Sequence, residues 1–390
     1  MRESNNFELV TAVVSAIRHV VGDGPCALHE PSFKGNELRY VKDCLDSTFV
    51  SSVGEYVGQF ELALRNIVGC RSVVAVASGT AALHLALKLS GIQPGQEVLL
   101  PALSFIATAN AVSYCGGIPH FVDSEESTLG IDPEKLRTYL TDNTDFHKGE
   151  CINRNTGRVI HALIPMHTFG HPADMAKLQS IAKEFDLILI EDAAEALGSK
   201  HNSEHVGCFG QSGILSFNGN KTITTGGGGA ILTNNMELAD RARHLSTTAK
   251  IPHRWSYVHD DIGYNYRMPN LNAALGCGQV EQLKDYIESK RRLFNSYNAQ
   301  FSVLEGVSLF QEPENCESNY WLQTLILSPE TEHLRDEILK DTNDSGIMTR
   351  PAWDLLNTLK PYLNCPASDL TVACSLQKRI INIPSSIMVS

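Results

Sequence analysis

One lysine, Lys221, lies between the apolar run GILSF (213–217) and four consecutive glycines, Gly226 to Gly229, with no acidic residue for several positions on either side. An amine held in such a loop, shielded from water, can act as a nucleophile and form an imine with an aldehyde. A solvated surface charge is the competing reading. The order G-x-x-x-x-G-K-[ST] is absent, so the loop is not a Walker-type nucleotide site. Asp192 follows the apolar run LILI together with Glu191. A carboxylate there is costly to desolvate unless a cation or a donor meets it, and a protonated ring nitrogen would serve. A helix cap would serve as well. Between another apolar run and a helix-like stretch lies Ser78-Gly79-Thr80, where Gly79 lets the backbone approach an anion and Thr80 adds a hydroxyl. Here too a simple N-cap competes. Phe105, in PALSFIAT, is placed to stack on a flat ring or to fill a core.

In chain order these residues amount to a phosphate cradle, a stacking ring, an acid for a ring nitrogen and an amine. That set is what pyridoxal phosphate requires. Metal chemistry has no comparable support. The ten cysteines include no C-x-x-C pair, and His84, His167 and His171 show no ligand spacing with a third partner. No G-x-S-x-G nucleophile motif lies near these segments.

The elements that must position this set alternate along the chain. Strand-like runs fall at 73–78, 97–101, 119–123, 159–167, 187–192, 213–217 and 229–234, with helical runs at 81–91, 108–116 and 174–185 among them. Such alternation predicts an α/β fold, a mostly parallel seven-stranded sheet covered by helices. Ligands of such sheets bind beyond the carboxyl ends of the strands, which is where the candidate residues lie. A helical stretch near 270–295 leads to strands near 321–327 and 347–350, the size of a small α+β domain. The expected division is an amphipathic helical arm over 1–28, a large domain over 29–290 and a small carboxy-terminal domain over 291–390.

The 390 residues carry 43% hydrophobic and 19% charged residues, enough apolar material for a sizeable core. A net charge of -12 argues against a nucleic-acid partner. No run approaches the roughly 18 apolar residues of a membrane span, and MRESNNFELV does not read as a secretory signal. Scattered single cysteines suit a reducing compartment, so a cytoplasmic protein is expected.

From about Phe33 to Ser386 the sequence resembles the DegT/DnrJ/EryC1/StrS sugar aminotransferases, within the aspartate-aminotransferase fold type. The matching stretches are SSVGEYVGQFE (51–61), ASGTAALHLAL (77–87), LPALSFIATANAV (100–112), EDAAEALGS (191–199), SFNGNKTITTGGGGA (216–230) and IGYNYRMPNLNAA (262–274). The resemblance implies the pyridoxal-phosphate transferase fold type I, with Lys221 carrying the cofactor as a Schiff base and Asp192 pairing with its ring nitrogen. It implies that Gly79, Thr80 and Ser216 hold the phosphate, that Phe105 stacks on the ring, and that Asn265 reaches the phosphate of a neighbouring subunit in a homodimer. Many members carry Gln or His at the position of Glu195, close to the cofactor's phenolic oxygen. An ionised carboxylate would repel a phenolate, so Glu195 is either protonated or turned elsewhere, towards substrate. By family habit glutamate donates the amino group, in a ping-pong reaction, to a keto group of a nucleotide-linked sugar. The members most resembled aminate C4 of UDP-linked 4-keto-6-deoxy-N-acetylhexosamines for surface glycans, with GDP-linked 4-keto-6-deoxymannose as the alternative acceptor. A sugar dehydratase of the family would have histidine in place of Lys221. A non-transaminating protein of the same fold is the remaining alternative.

Overall fold

The computed structural model describes residues 2–147 and 149–387, with side chains from residue 8 onward. The last three residues of the expected small domain, and Met1, lie outside it. A seven-stranded sheet forms the centre. Its strands are β1 (Ser72–Val76), β2 (Glu97–Pro101), β3 (Ile118–Val122), β4 (Ile160–Leu163), β5 (Ile188–Asp192), β6 (Ser212–Ser216) and β7 (Gly229–Thr233). They lie in the order β1-β7-β6-β5-β4-β2-β3. β7 runs antiparallel to both neighbours, and the other pairs are parallel. These strands are buried along nearly their whole length and mostly apolar because both faces are covered, as parallel sheets require. Along β1, Val73 and Ala75 enter one core while Val74 and Val76 enter the other, the period of two of a strand.

The helices divide accordingly. In chain order they are α1 (Arg2–Val21), α2 (Glu37–Ser47), α3 (Glu55–Val68), α4 (Gly79–Leu89), α5 (Ala107–Tyr114), α6 (Pro133–Asn143), α7 (Met175–Glu184), α8 (Met236–Ser246), α9 (Asn270–Val280), α10 (Leu283–Phe301), α11 (Arg335–Asp344) and α12 (Thr371–Arg379). Helices α3, α6, α7 and α9 cover one face of the sheet, and α4, α5 and α8 the other. The stretch expected as one helix over 270–295 is broken at Glu281-Gln282 into α9 and α10.

A second, antiparallel sheet holds β8 (Val307–Leu309), β9 (Gln323–Leu327), β10 (Arg350–Pro351) and β11 (Ile380–Ile383) in the order β8-β9-β11-β10. The amino-terminal helix, expected as an appended arm, is packed into its core. Val10, Val13 and Ile17 of α1 are shut against Leu293, Tyr297 and Phe301 of α10 and Leu325 of β9. An apolar stripe at that helical spacing needs a partner, and this sheet layer supplies it. No helix among the described residues is long and apolar enough to cross a membrane.

Candidate functional site

At the carboxyl ends of β1, β5 and β6 a cavity of about 310 Å³ opens, within the range of small-molecule sites. Gly79, Thr80, Phe105, Asp192, Glu195, Ser216 and Lys221 all line it. The structure therefore brings together seven of the eight residues singled out from the sequence. Asn265 is apart. It is exposed, pairs through its backbone with Thr247, and does not border the cavity of its own chain.

The start of α4 separates the two readings of Ser78-Gly79-Thr80. Ser78 is the cap, its Oγ accepting from the Ala81 amide at 3.0 Å. The amides of Gly79 and Thr80 precede the first intrahelical bonds and border the cavity, which leaves them for an anion. A Cβ on Gly79 would lie 2.9 Å from Cβ of Ser216, and one on Gly229 would lie 2.4 Å from the Ser78 carbonyl carbon. Both glycines thus let α4 sit directly against the ends of β6 and β7.

Glu191 and Asp192 point to opposite faces of β5 and do different work. Glu191 accepts from the amides of Gly207, Phe209 and Gly210 at 2.7–2.8 Å, and His167 Nε2 lies 3.3 Å away. It tethers a loop. Asp192, 3% exposed, accepts from Thr108 Oγ1 at 2.6 Å and from the Ala194 amide at 3.1 Å. These bonds fix its carboxylate at the cavity wall. Of the other histidines, His84 lies 3.1 Å from the Tyr266 hydroxyl, and His171 is buried against the rings of Phe310 and Tyr320.

Lys221 Nζ lies 3.1 Å from Glu195 Oε1 and 4.0 Å from the centroid of the Trp321 ring. Glu195 is not turned away. It is 3% exposed, and its other oxygen accepts from the Phe169 amide at 2.9 Å. Burial pushes its carboxyl up to about 7 against the opposing pull of the Lys221 ammonium, so the protonated form is within reach near neutrality. Phe105, 49% exposed, stands at the rim with its ring centroid 6.3 Å from that of Trp353. A free face of that kind suits stacking rather than core filling.

Three site residues escaped the sequence reading: Thr108, which orients Asp192, and Trp321 and Trp353, which complete the cavity wall. Thr108 lies in the same turn of chain as Phe105 and could have been found from that. The two tryptophans come from the carboxy-terminal part, and no local spacing marks them.

These residues fit pyridoxal phosphate. Unpaired amides and a space that a Cβ would fill suit its phosphate, a fixed buried carboxylate suits its ring nitrogen, and an amine stands beside a second acid. Bound there, the cofactor would supply an aldehyde for the Lys221 amine and a ring that draws electrons from the reacting carbon.

Comparison with known proteins agrees. Residues 31–390 match the DegT/DnrJ/EryC1/StrS aminotransferase family. The chain is 37% identical over 358 residues to a GDP-perosamine synthase of Escherichia coli O157:H7, covering 92% of each. It is 35% identical over 362 residues to the putative pyridoxal phosphate-dependent aminotransferase EpsN of Bacillus subtilis, covering 92% of this chain and 90% of the other. The solved structure of the aminotransferase TlmJ from Streptoalloteichus hindustanus superposes with a TM-score of 0.84 over 94% of this chain and 95% of that one, at 24% identity, a likeness of fold. The fold is that of the type I pyridoxal-phosphate enzymes, the cofactor is pyridoxal phosphate, and the chain belongs to the DegT/DnrJ/EryC1/StrS family as a sugar aminotransferase.

Proposed function

We propose that this enzyme moves an amino group from glutamate to C4 of a GDP-linked 4-keto-6-deoxy sugar, of the mannose type, for a surface polysaccharide. The observation that carries this reading is the 37% identity to a GDP-perosamine synthase across 92% of both chains. It favours this acceptor over the UDP-linked N-acetylhexosamine expected from the sequence, because three of the similar relatives are named GDP-perosamine synthase. With the cofactor bound, Lys221 Nζ would be the group that holds and moves the proton at the reacting carbon. Asp192, held by Thr108 and Ala194, would pair with the ring nitrogen. The test is incubation of the purified enzyme with glutamate and a panel of GDP- and UDP-linked 4-keto-6-deoxy sugars, read by mass spectrometry. Amination of the GDP-linked sugar is expected, and amination of UDP-linked sugars alone would overturn the reading.

The site belongs to a homodimer in this proposal, with Asn265 of each chain serving the phosphate end of the other's cavity. Large apolar side chains exposed on the single chain, Val53 at 71%, Trp255 at 73%, Tyr257 at 80% and Ile262 at 78%, support a covering subunit. Asn265→Ala should weaken cofactor binding by about 1–3 kcal/mol, the cost of an unmade hydrogen bond to a charged acceptor. At a cofactor concentration too low to fill the Asn265→Ala site, mixing Lys221→Ala with Asn265→Ala subunits should restore activity, since half of the hybrid sites contain neither lesion. A mixture that exchanges subunits and stays inactive would place Asn265 in its own chain's chemistry.

A further inference from the structure

The segment from Ser318 to Trp321, whose last residue lines the cavity, leads into strand β9 of the carboxy-terminal sheet. Asn319, fully buried, donates through Nδ2 to the carbonyls of Glu195 and Leu197 at 2.9 Å and to Thr222 Oγ1 at 3.2 Å. Its Oδ1 accepts from the Trp321 amide at 2.8 Å. Trp321 is then fixed at two further points. Its indole N–H donates to the Asn220 carbonyl at 2.6 Å, and its own carbonyl accepts from Lys290 Nζ at 3.0 Å. The ring that results, 4% exposed, presents its face to the Lys221 ammonium at 4.0 Å, while Glu195 Oε1 lies 3.1 Å from the same nitrogen.

We infer that Trp321 is a positioning residue for the reacting amine: its ring face holds Lys221 against Glu195 whenever the amine is not covalently engaged. The inference rests on the reading of Lys221 as the cofactor-bearing lysine. Lysine is a point charge on a flexible stem of four carbons, and ordering it costs side-chain entropy. One carboxylate oxygen sets a distance and leaves the direction open. A ring face at a second point narrows that direction, because an ammonium is attracted to an aromatic face, the more so where water is kept out. Because the indole is bonded to Asn220, the residue next to Lys221, seat and amine keep their alignment if the loop shifts.

The test uses the full chain freed of cofactor and exposed briefly to acetic anhydride. Mass spectrometry gives the ratio of acetylation at Lys221 to that at Lys290, a lysine with no exposed surface. Trp321→Leu, which removes the ring, should raise that ratio by about 3- to 10-fold, the equivalent of one cation–π attraction. Trp321→Phe keeps a ring without the indole N–H and should stay within about 2-fold of the unaltered protein. An unchanged ratio in the Leu variant, including a parallel rise at both lysines, would reduce Trp321 to a structural plug and overturn the inference. Equal ratios for Phe and Leu would overturn it as well, by assigning the effect to the N–H bond. The labelling needs neither cofactor nor sugar. Failure of the lysine assignment itself would appear separately, as borohydride-fixed cofactor on a peptide without Lys221.

Discussion

Two lysines meet Trp321 from opposite ends. Lys221 lies over its ring, and Lys290 donates to its carbonyl and, at 2.7 Å, to that of Ser385. Both amines are withdrawn from water, yet their surroundings differ. Lys221 borders a cavity, with a carboxylate 3.1 Å away and a second acid, Asp192, lining the same cavity. Lys290 donates to carbonyl oxygens and does not border that cavity, and burial alone pulls its amine down to about 7. A buried amine near neutral pKa is therefore not enough to make a reactive site. What separates the two is room for a ligand and acids that can share a proton with it.

The largest expected difference is in cofactor attachment. Lys221→Ala should abolish the cofactor fixed by borohydride and lower turnover by orders of magnitude, whereas Lys290→Met should retain both. Label on the Lys290 peptide in the unaltered enzyme would reverse the comparison. Glu195 sharpens it next, because it is the acid that Lys290 lacks. The folded protein holds the Glu195 proton up to about pH 7, while an unfolded chain releases it near the ordinary value of 4.5. Between those values the folded state binds more protons, so this residue's contribution to stability falls as pH rises. Glu195→Gln should remove a loss of about 3 kcal/mol across that window, measured by urea unfolding at several pH values. A variant that tracks the unaltered protein at every pH would place the titration elsewhere. Lys290 gives the smallest effect and the opposite slope. Its folded value, near 7, lies below the 10.5 of an unfolded chain, so the unfolded state binds more protons in between and stability rises with pH. The advantage of the unaltered protein over Lys290→Met should grow by about 2 kcal/mol from pH 7 to pH 9. A constant difference would mean that Lys290 keeps its charge when folded.

Much of this is legible in the sequence because it is local. Each strand of the large sheet is an apolar run next to a turn, and Asp192, Ser216 and Ser78-Gly79 follow directly from where those runs stop. The glycines after Lys221 announce a close approach of backbones, and the structure shows Gly229 against Ser78. Helices α2 and α3 carry no such mark. Their exposed apolar residues, such as Leu38 and Leu62, blur the stripe that identifies a helix packed on one side. The break at Glu281-Gln282 has no Gly or Pro to signal it. Trp321 and Trp353 are invisible for a different reason: their partners Asn220, Lys221 and Phe105 are 100 or more residues away, so only the folded chain brings them together.

The strap that ends at Trp321 also sets the order in which the site can come into being. A chain under synthesis that has reached residue 300 already holds Gly79, Asp192 and Lys221, while the walls at Trp321 and Trp353 are still to be made. Until then neither ring can line the cavity or stand beside the Lys221 amine, so the segment made last completes the pocket.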